Sequence, residues 1–489
     1  MSRAEAATAN SDDANPVQLL QIPPRVLRYE LEVYQSQVFC KTLYWSILAN
    51  YLLERSTDLF IQFTAYSPTV FRIMASTSSL SLLSSGSNAQ GQLGNGTLDD
   101  SHMFQKCSFL DHPPHTLPSG TSSVVDIAAG ANHTLVLLEI NGGTRELWGC
   151  GDGRKGQLGQ AWRQSSLFRR VNLGLNDADL EGYRIKFISA TWETSYVVLS
   201  CEGHSDIVLS MGSDDFGDLG IGGLNKNRAA EGIHVVRFHH IPEFSEGLDV
   251  LGIYSGQRHV ILCLNATPSP ILVGWGTCRH GQLGDLAVKP SASTPQIISV
   301  PSSNIASPSL GIHHTVLLND SRELICLGSN RKGQLEVAKA LTTDEYKIQS
   351  IGCTWNGTYV VVQDKAQWTV FSSGSNSHHQ LGWKSNEGAV VGQIYFTAAL
   401  DRRGVPPKIV CGSEHVLILS TPSSGKRAEL WGWGWNEHGN LGLGHTEDVP
   451  VPIELWTAPK TGDKILDVWA GMGTSWICVE ETFQGDLEK

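Results

Sequence analysis

The sequence predicts an all-β fold, a seven-bladed β-propeller, and three observations carry that prediction. A glycine-rich turn motif recurs seven times, a second motif recurs seven times between its copies, and the first and last repeats each lack a strand that the other supplies. A motif returning every few tens of residues marks a repeat architecture in which each unit buries its apolar face only against its neighbours.

The turn motif reads GSNAQGQLG at 86–94, GDGRKGQLG at 151–159, GSDDFGDLG at 212–220, GTCRHGQLG at 276–284, GSNRKGQLE at 328–336, GSNSHHQLG at 374–382 and GWNEHGNLG at 434–442. Gly86, Gly91 and Gly94 suit positive φ, Asn88 suits an Asx-turn on its own backbone, and Leu93 is the apolar anchor. The second motif reads AGANHTLVLL at 129–138, ATWETSYVVL at 190–199, SGQRHVILCL at 255–264, LGIHHTVLLN at 310–319, CTWNGTYVVV at 353–362, CGSEHVLILS at 411–420 and AGMGTSWICV at 470–479. His133, His259, His314 and His415 share one position in it and read as hydrogen-bonding caps of the core rather than metal ligands.

Each apolar run of the second motif passes through a short polar stretch into another apolar run that enters the next turn, as in HTVLLN, DSR, ELICLGSN at 314–330. That is the grammar of a hairpin. The runs do not alternate strictly, as expected of strands covered on both faces. At the ends, SLSLLSS at 79–85 has no upstream partner and TSWICVE at 474–480 has no following strand. Pairing about 80–85 with 474–480 closes the ring and removes its exposed edges. The propeller is thus expected over 76–482, with a short tail at 483–489. Residues 1–75 lack both motifs. They hold an amphipathic helix signal at Val38–Leu53 and an apolar stretch at Leu59–Phe63, and two readings stand: an added extension, or a gene start placed too early, with Met74 opening the family-like MASTSSLSLLSSGSN.

Composition agrees with a turn-rich globular chain. Of 489 residues 41% are hydrophobic and 17% charged, and the 50 glycines lack a triplet period; globular proteins average ~25% charged residues, and collagen or a disordered chain would look different. The net charge of −12, from 36 Lys+Arg and 48 Asp+Glu, repels a phosphate backbone, so no direct nucleic-acid binding is expected. The ten cysteines stand singly without CxxC pairs and read as reduced thiols. The start lacks a secretory signal, and the best apolar segment, 42–53, is shorter than the ~20 residues of a membrane span. The expectation is a soluble intracellular protein, cytoplasmic with the nucleus as a second compartment.

No P-loop, HExxH or GxSxG occurs, so neither an enzyme nor a cofactor is expected. His112 with His115, and the pairs at 239–240, 313–314 and 378–379, would hold a metal only if a third ligand converged; no metal is expected. The tryptophans say more. Trp431 and Trp433 are expected to pack between blades. Trp435 stands where other copies of the turn carry Ser, Asp or Thr, and is expected to be exposed as an interface anchor beside Glu437 and His438. Arg154, Lys155, Arg331 and Lys332 occupy equivalent turn positions and would offer one rim's positive charge to a partner.

Together the two motifs, GSNxxGQLG and AGxxHT, resemble the repeat of the regulator of chromosome condensation family, over roughly 76–480. WGCGDGRKGQLG at 148–159, CGSEHVLIL at 411–419, WGWGWNEHGNLG at 431–442 and AGMGTSWICV at 470–479 look closer to one branch, that of the fungal alpha-tubulin suppressor protein and its animal relative, the secretion-regulating exchange-factor-like propeller. The resemblance implies a non-enzymatic scaffold. Its implied partner is the small zinc-binding diphthamide biosynthesis protein, an electron carrier, in support of diphthamide synthesis on elongation factor two and of wobble-uridine modification by the Elongator complex. On that reading the partner-binding residues are Trp435, Glu437, His438, Glu414, His415, Arg154, Lys155 and Trp476. The alternative, also from the family, is guanine nucleotide exchange on a Ran-type GTPase. Thr191 and Thr354, where the family has Gly, and Glu336, where it has the last Gly of the turn, depart from the pattern.

Overall fold

The computed structural model describes residues 77–483 except 160–161, 176–179, 224–231, 240, 242–246, 268, 287–288, 302–304, 342–345, 364–366, 385–388, 398–399, 401–404, 422–426 and 458–461. Expectations for 1–76 and 484–489 lie outside the described residues.

Seven antiparallel sheets form the blades. Blade 1 is β3 (Thr121–Ala129), β4 (His133–Ile140), β5 (Thr144–Asp152) and β6 (Gln164–Arg170); blade 2 is β7 (Arg184–Ala190), β8 (Thr194–Ser200), β9 (Ile207–Gly212) and β10 (His234–Val235). Blade 3 is β11 (Val250–Ser255), β12 (His259–Leu264), β13 (Ile271–Thr277) and β14 (Ser291–Ile297). Blade 4 has three strands, β15 (Ile305–Leu310), β16 (His314–Asn319) and β17 (Leu324–Gly328), followed by the short helix α1 (Glu336–Ala340). Blade 5 is β18 (Lys347–Thr354), β19 (Gly357–Gln363), β20 (Trp368–Gly374) and β21 (Val391–Ile394); blade 6 is β22 (Lys408–Cys411), β23 (His415–Ser420), β24 (Glu429–Gly434) and β25 (Val449–Glu454). The last blade joins both ends of the ring: β26 (Lys464–Ala470), β27 (Thr474–Phe483), β1 (Thr77–Gly86) and β2 (Ser101–Lys106), ordered β2-β1-β27-β26. The closure expected from the unpaired ends is present.

The second strand of each blade explains the missing alternation. In β4, β12, β16 and β23 almost every side chain is buried whichever way it points, because sheets stack on both faces. Trp431 and Trp433 are 3% and 0% exposed and pack between blades as expected. Among the described residues no helix is long and apolar enough to cross a membrane.

The turn motif is a device for joining two loops. Gly86 has φ 113°, and a Cβ there would lie 2.2 Å from the carbonyl oxygen of Gly473. Only glycine allows so close an approach at that φ. The Ser87 N–H then donates to that same oxygen at 2.9 Å, the counterpart across the chain ends of Asp152 N–H to Asn132 in blade 1. Asn88 does not close a turn on its own backbone. Its side-chain Oδ1 accepts the N–H of Leu93 at 3.0 Å, and its side-chain Nδ2 donates to the Thr97 and Asp99 carbonyls. Asp214, Asn330, Asn376 and Asn436 accept from the residue five positions on in the same way. Leu93 is fully buried.

The second motif makes the inner ring. Ala131 N–H donates to Trp192, Trp192 to Gln257, Ile312 to Trp355, Trp355 to Ser413 and Ser413 to Gly471, at 2.8–3.2 Å, each crossing to the next blade. The four expected histidine caps are there. His133 meets Ser195, His259 meets Thr315, His314 meets Thr358 and His415 meets Ser475, each through Nε2 at 2.9–3.2 Å to a hydroxyl of the next blade. The imidazole lies against the motif's glycine: a Cβ on Gly130, Gly256, Gly311 or Gly412 would fall 2.1–2.4 Å from the ring. Blades 2 and 5 have no histidine at this position, and there Thr191 and Thr354 replace the glycine without a clash. Glu336, the other departure, opens α1.

Gly311→Thr should therefore destabilise the ring by about 3 kcal/mol through overpacking, while Gly311→Thr with His314→Gly, which copies blade 5, should recover part of that loss. Denaturant unfolding of the three chains checks it; a double variant no more stable than the single one contradicts the packing argument.

Burial pushes His133, His314 and His415 down to about 4 and His259 down to about 3. Their unfolded counterparts protonate near ~6.5, so the stability that depends on neutral rings is complete above that pH and is lost as pH falls toward 4. Asp126 and Asp218, raised by burial to about 6 and about 8, act in the opposite direction over this range. Asp214 and Glu414, also raised by burial, join the carboxyls, and His280 and His313, also lowered by burial, join the rings. Six rings outweigh four carboxyls, so the melting temperature should fall between about pH 6.5 and 4, with His415→Gln reducing proton uptake on unfolding by about one.

Candidate protein-docking face

Both motifs lie at one end of the ring, because the first strand of each hairpin begins where the second ends: His133 pairs with Gly151, His259 with Gly276 and His415 with Gly434. The inner loops surround the axis on this motif face and the glycine-rich turns form its outer border.

At the axis, Trp192 of blade 2 and Trp355 of blade 5 meet with ring centroids 5.9 Å apart. These blades stand three places apart in a ring of seven, so the contact spans the channel. The Arg258 guanidinium lies 4.4 Å from the ring centroid of Phe216 and 5.8 Å from that of Trp192, a cation held on aromatic faces. Arg258 also stands 3.8 Å from Asp218, whose carboxyl burial pushes up to about 8 while the arginine pulls it down. Phe216 is 41% exposed and presents this cluster to solvent.

At the border of blades 5 to 7, Trp435 is half-buried rather than exposed. It lies between His378 and His438, with centroids at 6.2 and 5.2 Å. His438 is fixed by Asp100 of the closing blade at 2.6 Å, and His378 by Asp448 at 3.0 Å. Glu414 stands 3.6 Å from His378; desolvation raises its carboxyl and His378 opposes the rise. Glu437 is exposed beside them. Trp435 is thus a held aromatic edge in a network of two imidazoles and four carboxylates.

Two of the expected contact residues are elsewhere. His415 and Trp476 are both fully buried, the first as an interblade cap and the second inside the core of the closing blade. Neither offers surface to a partner, because a residue of the second strand is covered on both faces. Arg154 and Lys155 are exposed on the motif face, but Arg154 grips Asp152 through Nε and Nη2 at 2.9 and 2.8 Å, which offsets its charge. Lys155, Arg331 and Lys332 are exposed and make no ion pair among the described residues.

Of the histidines paired in the sequence, His240 lies outside the described residues. His313 lies against His280 with ring centroids 4.1 Å apart and planes tilted by 46°, His112 and Trp148 meet edge to face, and His115 Nδ1 lies 3.4 Å from Ser108. Among the described residues no three His, Cys, Asp or Glu are grouped to hold a metal ion. The residues missed in the sequence are Trp192, Trp355, Arg258 and Phe216. A signal existed: each Trp directly follows one of the two threonines that replace the motif's glycine.

Comparison with known proteins gives a consistent picture. The signature described as Regulator of chromosome condensation (RCC1) repeat matches residues 81–137 and 428–476, and a second signature of the same description matches 124–157. The mouse secretion-regulating guanine nucleotide exchange factor is 26% identical over 417 residues, covering 80% of this chain and 82% of that protein. An RCC1 repeat-containing protein of Schizosaccharomyces pombe is 26% identical over 412 residues, covering 82% of this chain and 99% of that one. Among solved structures, human WBSCR16 superposes with a TM-score of 0.63 at 21% identity, over 82% of this chain and 98% of its own.

Because Asp218 holds its proton in the folded state and releases it when unfolded, its penalty on stability grows as pH rises from about 4 to about 8. Asp218→Asn should therefore gain stability on the parent chain over that range, by at most about 1.4 kcal/mol per pH unit. Equal pH dependence in paired denaturation curves would show the carboxyl to be ionised against Arg258.

Proposed function

The chain belongs to the regulator of chromosome condensation repeat family, and from that premise we propose that it is a docking propeller that regulates a small GTPase of the Ran type by promoting release of its guanine nucleotide. The observation that carries this reading is the end-to-end similarity to a protein named as an exchange factor, which runs through most of both chains rather than a few blades.

The motif face suits such a task. It presents fixed aromatic edges at Trp435 and Phe216, carboxylates at Glu437 and Glu414, and cations at Lys155, Arg331 and Lys332 on a rigid frame. An exchange regulator needs no covalent chemistry. It binds the nucleotide-free GTPase more tightly than the loaded one, and by linkage lowers nucleotide affinity by the same factor. A pre-formed face loses little freedom on docking, so more of its contact energy reaches that difference.

A second reading rests on the unpaired cations. Lys155, Arg331 and Lys332 would complement an acidic partner, and the Glu437-His438-Gly439 turn resembles the fungal branch that docks the small zinc-binding diphthamide protein. The ring would then act in diphthamide synthesis and with Elongator. We propose the cytoplasm as its compartment, with the nucleus as a second.

Fluorescent-GDP release from a Ran-type GTPase tests the first reading: stoichiometric ring should speed release at least about tenfold. Trp435→Ala with Glu437→Ala should weaken docking by about 1.4 kcal/mol, tenfold in affinity. Unchanged release together with tight calorimetric binding of the zinc protein would replace the first reading with the second.

A further inference from the structure

Among the described residues six blades have four strands and blade 4 has three. In five of the others a fixed position of the third strand, four residues before the turn's glycine, sends its carbonyl outward to the fourth strand. Leu82 accepts from Cys107, Leu147 from Val171, Val208 from Val236, Leu272 from Ile298 and Leu430 from Leu455, at 2.8–2.9 Å. The same position in blade 4 is Leu324 of β17, which meets β16 with the common register, His314 opposite Gly328 and Leu318 opposite Leu324. Leu324 and, two residues on, Cys326 therefore aim their N–H and C=O groups outward. Neither has a hydrogen bond on that side among the described residues. Helix α1, which takes the fourth strand's place in the chain, sits between blades 4 and 5: Val337 N–H donates to Ser373 Oγ of β20, and the side chains of Leu324 and Cys326 share a core with Leu335, Val337 and Leu341. The helix thus covers the blade-5 face of β17 without bonding to its outward main-chain groups.

The edge is apolar on both faces. Leu324 and Cys326 pack toward blade 5, Ile325 and Leu327 toward blade 3, and all five residues of β17 are half-buried. It carries neither proline nor charge, the devices that ordinarily blunt an exposed strand. The charges lie at its end. β17 runs toward the motif face, where exposed Arg331 and Lys332 follow Gly328 and exposed Arg279 stands in the turn of blade 3; His280, lowered first by burial, is lowered further by Arg331 and Arg279. The far end carries Asp320, Arg322 and Glu323 together and is mixed in sign.

We propose that β17 is a docking edge for an extended segment of a partner protein, which adds antiparallel as the fourth strand of blade 4 and bears acidic residues just before that strand. Antiparallel addition matches every other blade and puts the segment's N-terminal flank at Arg331 and Lys332. Main-chain bonds to Leu324 and Cys326 supply affinity, and the basic end sets direction. The strand edge lies on the ring's outer side and takes no part in the GTPase reading; only Arg331 and Lys332 at its end are shared with the motif face, and the N-methylated peptide tests the edge without them.

The probe is a fluorescent ten-residue peptide with three aspartates followed by alternating valine and threonine, mixed with the full chain. Anisotropy should show saturable binding that weakens with salt. An otherwise identical peptide N-methylated at alternate strand positions, unable to pair with the edge, should bind at least tenfold more weakly, as should the reversed sequence with its aspartates last. Arg331→Glu with Lys332→Glu, on an exposed turn, should weaken the parent peptide tenfold, and hydrogen exchange of the Leu324 and Cys326 amides should slow in its presence. No binding at millimolar peptide, or equal binding of the N-methylated form, overturns the proposal. So does concentration-dependent dimerisation that protects the same two amides, which would assign the edge to a second copy of this chain.

Discussion

The joint between neighbouring inner loops is the contact on which the ring depends. A blade whose second strand is buried on both faces exposes its core when alone, so it is stable only between two neighbours. The neighbours meet through backbone rungs such as Trp355 N–H to Ser413 and through an imidazole reaching a hydroxyl. The imidazoles follow a rule. His133, His259, His314 and His415 each precede a blade with Ser or Thr at the receiving position, whereas Thr194 and Gly357 precede Val260 and Val416. A buried imidazole facing valine would lose its partner, at a cost of about 1–3 kcal/mol. Histidine therefore stands only where the next blade can answer it, except that Thr474 precedes Thr134, whose hydroxyl is already bonded to the Gln92 carbonyl.

This coupling makes the fold unusually legible from the chain alone. The blade count, the hairpins and the closure follow from motifs that cannot vary freely: the first glycine of each turn is fixed by a carbonyl 2.2–2.6 Å from where its Cβ would be. Even the departures are readable once the pair is recognised, since Thr191 and Thr354 replace glycine only where histidine is gone too. What motif reading alone could not give was the partner of each group. Asn88 looked suited to a local turn, yet its acceptor serves Leu93 and its donor the loop beyond. A side chain's type limits what it can bond; only the fold sets which neighbour comes within reach.

The docking face was less legible for a physical reason. Resemblance along a motif mixes residues that hold the blade with residues that face solvent, and the two alternate within a few positions. Glu414 reaches the surface while His415, next to it, is sealed between blades; Trp435 borders the face while Trp433 donates its indole N–H to Gln380 in the core. The axial cluster was hidden differently, since Trp192 and Trp355 are 163 positions apart in the sequence and only ring closure brings them together.

The missing strand of blade 4 was written in an interval rather than in a residue. Gly328 precedes Cys353 by 25 positions, whereas the same step from turn to second motif takes 34 to 43 in the other six repeats. The shorter step leaves too little chain for a strand and a return loop, and the helix at Glu336–Ala340 packs into the apolar core between blades 4 and 5 instead. A ring tolerates this loss because its radial packing depends on the inner three strands, which blade 4 retains with the common register. The cost falls on the outer edge alone, where Leu324 and Cys326 keep main-chain groups that the other blades satisfy internally. Closure thus removes the chain's two terminal edges and leaves a new one in the middle of the sequence, at a blade whose following turn carries two cations, Arg331 and Lys332, without an ion pair among the described residues.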